Sequence, residues 1–474
     1  MNAETKAGAD KPAAEKAAGR VDAIAMRPVI LLIEHGLGGG VARHVDDLSV
    51  LFRERADFVR LKPNRGGLLE VRGSMPGLAS ALYFRAPQEL DALSELLRNL
   101  GVGRIHFHHT LRLPRELLDL PKALDLPYDY TIHDYFCFCP QITLTTESFE
   151  YCGEPDEAGC GKCLRIRPSA TGESIQGWRA RYRPFVEGAA RVFVPSVGVE
   201  LKMRRYFPAA SVILAPHPEP QDVTIPQIPA WTHRDGNLKV VVLGVLNAIK
   251  GADLLEECAI DAARRVLPLE FHLVGYAYRS LSRAGSRLTV YGKYRDADLS
   301  RLLHDLDPHI AWFPAKWPET YSYTLSAALR NSLPVASTNI GAIHDRLAGR
   351  AFSWTLPWDS NAQAWNDFFA RLRSQPSSCG ECLVPAGSQS VAPFSYRKDY
   401  VQASSGISGP QIGRRFEIYR NPLRASPFVI VQYIKGYARE LMSAAYRLPG
   451  VRRIAVAALP EHRLQLLRRW LDRF

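Results

Sequence analysis

The segment Ile310-Ala311-Trp312-Phe313-Pro314-Ala315-Lys316-Trp317-Pro318-Glu319-Thr320-Tyr321-Ser322-Tyr323-Thr324-Leu325 begins apolar, passes through a loop and ends in helix-forming residues. That order predicts a buried strand running into a helix, with Glu319 at the helix start. The N–H groups of Thr320 and Tyr321 would then lack intrahelical partners and suit a phosphate. A carboxylate at this point also accepts hydrogen bonds from sugar hydroxyls. The plainer role of such a glutamate is electrostatic support of its own helix.

Three further groups could do chemistry. Lys250-Gly251-Ala252-Asp253 places a compact cation just before a predicted helix, a position suited to a diphosphate. The turn Gly36-Leu37-Gly38-Gly39-Gly40 follows an apolar stretch and precedes a helix starting near Val41. Its spacing is not that of a dinucleotide fingerprint. Glycines there let the backbone approach a ligand and aim N–H groups at an anion, or simply make a tight turn. In Tyr130-Thr131-Ile132-His133-Asp134-Tyr135, His133 stands at a strand end and can bond a sugar hydroxyl, whereas Asp134 suits a cap.

Cys139, Cys152, Cys160 and Cys163 are closely spaced and end in Cys-x2-Cys, a pattern that fits a structural zinc or a set of buried, unreactive thiols. Cys137 competes as a ligand. Cys379 and Cys382 form a second Cys-x2-Cys with no evident partner pair.

The elements that must hold these residues follow one pattern in both halves of the chain: short apolar strands alternating with amphipathic, helix-length segments. It predicts an α/β protein of two doubly wound, Rossmann-like domains. In the first half the strands are Val29 to Ile33, Arg104 to Phe107, Tyr130 to Ile132, Arg191 to Val194 and Val212 to Leu214. In the second they are Lys239 to Leu243, Phe271 to Val274, Leu288 to Tyr291, Ile310 to Phe313 and Val335 to Ser337. Between the halves, Pro216 to Trp231 is rich in proline and reads as a stiff linker. The expected boundaries are a disordered tail at 1–27, domains at 28–225 and 237–373, a loop and return segment at 374–413, and a basic helical extension at 414–474. A ligand belongs in the cleft where the carboxyl ends of both strand sets meet.

At 474 residues the chain exceeds one compact core. Its hydrophobic share of 46% and charged share of 23% are those of a soluble globular protein. No apolar run reaches the ~20 residues of a membrane span, and the first 27 residues lack the apolar core of a secretory signal, so a cytoplasmic protein is expected. The formal charge of +12 favours anionic partners, but the paired Cys/His fingers and aromatic sheet motifs of nucleic-acid binders are absent. Arg439, Arg447, Arg452, Arg453, Arg463, Arg468, Arg469 and Arg473 give the C-terminal segment a basic amphipathic character. Such a helix lies on an anionic membrane or packs on the rest of the protein.

From Val29 to about Leu347, and again at Phe394-Ser395-Tyr396-Arg397, the chain resembles the retaining glycosyltransferases of family 4, which have the GT-B fold. The Gly-Gly-Gly-x-x-Arg-His-Val stretch at Gly38 to Val45, and the His133-Asp134-Tyr135 segment followed by spaced cysteines, resemble those of bacterial polysaccharide transferases. The resemblance implies a nucleotide-sugar donor beside Gly38, Gly39, Gly40 and Lys250. It puts His133 and Glu319 on the transferred sugar, the N–H groups of Thr320 and Tyr321 on phosphate, and Gly341, in Asn339-Ile340-Gly341-Ala342, near the nucleotide. The implied acceptor is a glycan or a lipid-linked glycan at the inner face of the plasma membrane. No Asp-x-Asp cluster stands where a metal would bridge to the donor, so catalysis is expected to need no metal. Two positions depart from the pattern. Ala327 stands where the family has a ribose-binding Glu, and Val245 where it has an Arg ahead of the lysine. These departures also fit a catalytically silent GT-B protein that binds a carbohydrate or a partner enzyme. Arg43, Lys316 and Arg279 are candidate replacement cations.

Overall fold

In a computed structural model, the protein is described at residues 27–64, 67–75, 77–219, 236–281, 285–374, 394–401, 414–420 and 442. Most of the expected N-terminal tail and basic extension, much of the proline-rich segment, and Cys379 with Cys382 lie outside these residues.

The first sheet is built from β1 (Val29–Ile33), β2 (Asp57–Pro63), β3 (Leu69–Gly73), β4 (Leu82–Phe84), β5 (Val102–Phe107), β6 (Tyr128–Thr131), β7 (Arg191–Val194) and β8 (Val212–Leu214). Their order is β4-β3-β2-β1-β5-β6-β7-β8. β1 pairs in parallel with β2 and β5, and the parallel pairing continues out to β8. All five residues of β1 are buried, as a strand covered on both faces requires. β2–β4 form an antiparallel extension at one edge.

The second sheet contains β9 (Leu238–Leu246), β10 (Leu269–Ala277), β11 (Leu288–Val290), β12 (Ile310–Phe313), β13 (Val335–Thr338) and β14 (Ser353–Leu356), in the order β11-β10-β9-β12-β13-β14. Every pair in it is parallel. Each sheet carries helices and has its own apolar core, with Leu31, Ile33 and Phe107 central to the first and Val240, Phe271 and Trp312 to the second. Two doubly wound domains, the architecture expected from the alternating pattern, are what the structure has.

Beyond the second sheet the chain returns to the first. Tyr396 and Tyr400 bury themselves beside Ile30, Leu32 and Phe193. Arg191 on β7 clamps Asp129 on β6 and donates to the carbonyl of Asp399, fastening the return segment to the sheet. Residues 414–420 form a 3-10 turn, not an α-helix. It lies against β4, with Tyr419 stacked on Phe84 at 4.5 Å. Among the described residues no helix is long and apolar enough to cross a membrane.

Candidate functional site

The carboxyl ends of the two strand sets meet. His35 follows β1, His108 and His109 follow β5, His133 follows β6 and His217 follows β8. Facing them are the segments after β9, β12 and β13, which carry Lys250, Glu319 and Gly341. The two sides touch directly. The Thr320 hydroxyl donates to the carbonyl of His133 at 2.6 Å, and the Tyr135 hydroxyl donates to the carbonyl of Pro318 at 2.7 Å.

Lys250 and Glu319 come together: Nζ lies 3.2 Å from Oε1. The carboxylate is nearly buried and the ammonium about one-third exposed, so the lysine presents the pair to solvent. Backbone packing sets this geometry. Lys316 N–H donates to the carbonyl of Ile249, and Ala342 N–H to that of Glu319. Gly341 has φ +72°, and a Cβ there would stand 2.6 Å from Pro318 Cα and 2.7 Å from Glu319 N. Gly251, at φ +82°, lets Pro314 approach to where a Cβ would be 2.3 Å from its carbonyl oxygen. Both glycines are therefore spacers that seat the Glu319 loop between the ends of β9 and β13.

The helix after this loop starts later than the sequence pattern predicts. It spans Tyr323–Arg330, and Ser322, at φ 75°, is its N-cap and accepts from Leu325 N–H. The serine hydroxyl caps a helix that begins four residues beyond the predicted start, so Glu319, Thr320 and Tyr321 precede the helix instead of forming its first turn. The Tyr321 hydroxyl donates to Glu219 and its ring lies under the Arg346 guanidinium at 4.4 Å. Arg346 donates to the carbonyls of Tyr321 and Ser322, fixing the entry to the helix.

Across the cleft, the helix Gly39–Leu51 opens at the glycine turn, with Gly38 as its N-cap. A Cβ on Gly38 or Gly39 would meet nothing within 4 Å, whereas one on Gly40 would lie 3.8 Å from the Tyr323 ring. Arg43 sits over that ring and pairs with Asp296 and Asp47. A cavity of about 300 Å³ opens here, lined by Arg43, Glu219, Asp296, Tyr323, Ala327 and Arg330 among others. Ala327 thus faces a cavity that also holds the Glu219 carboxylate, itself paired with Arg330. The other replacement cations are engaged elsewhere, Lys316 with Glu150 and Arg279 with Asp253 and Glu256.

The histidines form a contiguous group that sequence reasoning represents by His133 alone. His44 lies within 4.2–5.1 Å, ring centroid to centroid, of His217, His133 and His108. Burial holds His44 down to about 3 and pushes His106, His108, His133 and His217 well below the usual imidazole range, so these rings are neutral at pH 7. His106 is fully bonded, to the Tyr400 hydroxyl and to Thr131. Asp134 accepts from Phe136 N–H, a local cap, and pairs with His109 at 2.8 Å. His44, His108, His217 and Glu219 lacked a separate sequence signal: the first lies inside the glycine motif, and the last two in the stretch read as a linker.

Cys139, Cys152, Cys160 and Cys163 are free thiols, and burial raises the pKa of Cys139, Cys152 and Cys163, with neighbouring thiols adding to it. Their chemistry fits zinc, but no three of them bring their sulfurs within 4.8 Å of one another. Cys160 bonds instead to the carbonyl of Pro155 and to Arg179. Cys137 is buried against Met203.

No protein-family model and no curated protein matches the chain. Among solved structures it is similar to HepE of Anabaena in complex with UDP and glucose. That match has 14% identity, a TM-score of 0.47, and coverage of 74% of this chain and 91% of that one. It is also similar to sucrose-phosphate synthase of Thermosynechococcus elongatus, with 15% identity, a TM-score of 0.48, and coverage of 88% and 100%. A third similarity is to the pneumococcal O-GlcNAc transferase GtfA in complex with UDP and GlcNAc, with 10% identity and a TM-score of 0.44 over 74% and 93% of the chains.

Proposed function

We propose that the protein is a retaining glycosyltransferase of the family 4 type that takes its sugar from a nucleoside-diphosphate donor. The observation that carries this reading is the Lys250–Glu319 pair, a cation and a carboxylate 3.2 Å apart where the two domains meet. A donor would exchange this internal pair for its own contacts. The Lys250 ammonium turns to the diphosphate, and Glu319 accepts from the sugar hydroxyls it faces.

Charge develops on the departing diphosphate, and stabilising it is the main catalytic demand. Lys250 and the backbone N–H groups at Gly38 to Gly40 meet that demand from opposite sides. Thr320 and Tyr321 act by holding the loop against His133 and Glu219 rather than by offering a helix start. The acceptor hydroxyl enters on the face from which the diphosphate leaves, and a diphosphate oxygen takes its proton. His133, neutral, donates a hydrogen bond to the sugar. The nucleoside fits the cavity beside Ala327, where Glu219 supplies the carboxylate that position 327 lacks.

The acceptor is proposed to be a glycan or lipid-linked glycan of a cell-surface polysaccharide, met by a chain that docks on an anionic membrane face. A structural zinc at Cys139, Cys152, Cys160 and Cys163 rests on the donor set alone and requires the thiols to close around the ion. Ala327 and Val245 favour a second reading, a silent GT-B protein that binds but does not transfer. Thermal-shift screening of a nucleotide-sugar panel, followed by donor hydrolysis assays on the stabilising compound, tests both. Stabilisation with turnover supports the transferase, stabilisation without turnover a silent protein that keeps the donor site, and no stabilisation by any donor refutes the transferase and leaves the silent protein that binds a carbohydrate or a partner enzyme.

A further inference from the structure

His44, His133 and His217 come from three separate parts of the chain: the helix Gly39–Leu51, the segment after β6 and the segment after β8. Each offers a ring nitrogen, and these atoms all lie within 4.8 Å of one another. Among the described residues no other trio of His, Cys, Asp or Glu does so. His44 is fully buried and His217 is 5% exposed. Among the described residues, neither ring nitrogen of His44 has a hydrogen-bond partner, and Nδ1 of His217 has none. Buried imidazoles normally satisfy both nitrogens, as His106 does beside them. Packing alone therefore leaves the arrangement unexplained: three apolar rings would fill the same space without orphaned lone pairs.

We propose that His44, His133 and His217 form a three-imidazole binding site for a divalent transition metal of the zinc class. Imidazole nitrogen selects zinc, cobalt, nickel or copper over magnesium or calcium, which take oxygen. Zinc–nitrogen bonds of about 2.0–2.1 Å place tetrahedral ligand atoms ~3.3 Å apart, so side-chain rotations that close the trio by up to ~1.5 Å complete the set. Three protein ligands leave one coordination position for water or a ligand oxygen. The site lies on the first-domain side of the cleft and does not depend on the transferase reading, because a silent protein would bind the metal equally well.

The test uses the full-length chain, stripped of metal and titrated with Co(II) and Zn(II). The expected result is one equivalent held by imidazole nitrogens, with a four-coordinate Co(II) visible spectrum and nitrogen scattering by X-ray absorption. Sulfur scattering or a thiolate charge-transfer band marks any further equivalent taken by the cysteines. His217→Gln and His44→Ala should weaken binding by more than the roughly 10–100-fold that loss of a supporting hydrogen-bond partner costs. Should a variant fail to fold, the X-ray absorption of the unaltered chain still decides. No bound metal, metal held only by sulfur, or unchanged affinity in both folded variants overturns the proposal.

Discussion

Replacing Gly341 by alanine isolates the contact that seats the Glu319 loop. Position 341 has φ +72°, and an L-residue held there costs about 1–2 kcal/mol. The new Cβ would also stand 2.6 Å from Pro318 Cα and 2.7 Å from Glu319 N, both backbone atoms that cannot rotate away. Overpacking of this kind costs about 1–3 kcal/mol more, for a total of about 2–5 kcal/mol. Gly292, in the same domain at φ +85° with nothing within 4 Å of its Cβ position, is the control. Gly292→Ala carries only the backbone cost of about 1–2 kcal/mol. Thermal unfolding of both variants by circular dichroism should separate them by about 2–12 °C, taking ~2–4 °C per kcal/mol for a domain of this size class. Gly341→Ala should also weaken donor binding, because the displaced atoms belong to Glu319. Equal unfolding temperatures for the two variants would refute the claim that the loop rests on this contact.

Asp129 is fully buried between Arg191 and Arg104, so Asp129→Ala breaks a buried ion pair with Arg191 and should cost about 3–5 kcal/mol in denaturant unfolding. Burial holds His35 down to about 4 and pushes His106 well below the usual imidazole value of ~6.5. A depressed folded-state pKa gives stability that is present above pH 6.5 and lost as pH falls toward the folded value. Each of these rings therefore steepens the loss by up to ~1.4 kcal/mol per pH unit, measurable as urea midpoints between pH 7 and pH 5. Tyr135→Phe removes the bond from its hydroxyl to Pro318 across the cleft and should cost about 0.5–1.5 kcal/mol with little change in either core.

Most of the two sheets was legible because buried parallel strands are continuous apolar runs, and Val29-Ile30-Leu31-Leu32-Ile33 or Ile310-Ala311-Trp312-Phe313 announce themselves. The antiparallel edge was not. In Asp57–Pro63 charged Arg60 and Lys62 interrupt the apolar residues, because one face of that strand is only half covered. The start of the Tyr323–Arg330 helix was misplaced because Ser322 and Glu319 are both plausible near a helix start, and only the backbone turn at Ser322 decides between them. The histidines could not be read as a group: only His133 stood out. Its members are far apart in sequence, and His217 and Glu219 sit in a proline-rich stretch whose composition suggests a spacer. What brings them to the cleft is the position of β8 at the sheet edge, a tertiary fact.

Lys250 and Glu319 are proposed to hold a nucleotide sugar between the two domains. Isothermal titration calorimetry of the stabilising nucleotide sugar against the unaltered chain, Lys250→Ala and Glu319→Ala tests it most directly. Loss of one charge-assisted bond is worth about 1.5–3 kcal/mol, so each variant should bind ~10–150-fold more weakly. Binding unchanged in both folded variants would contradict the account.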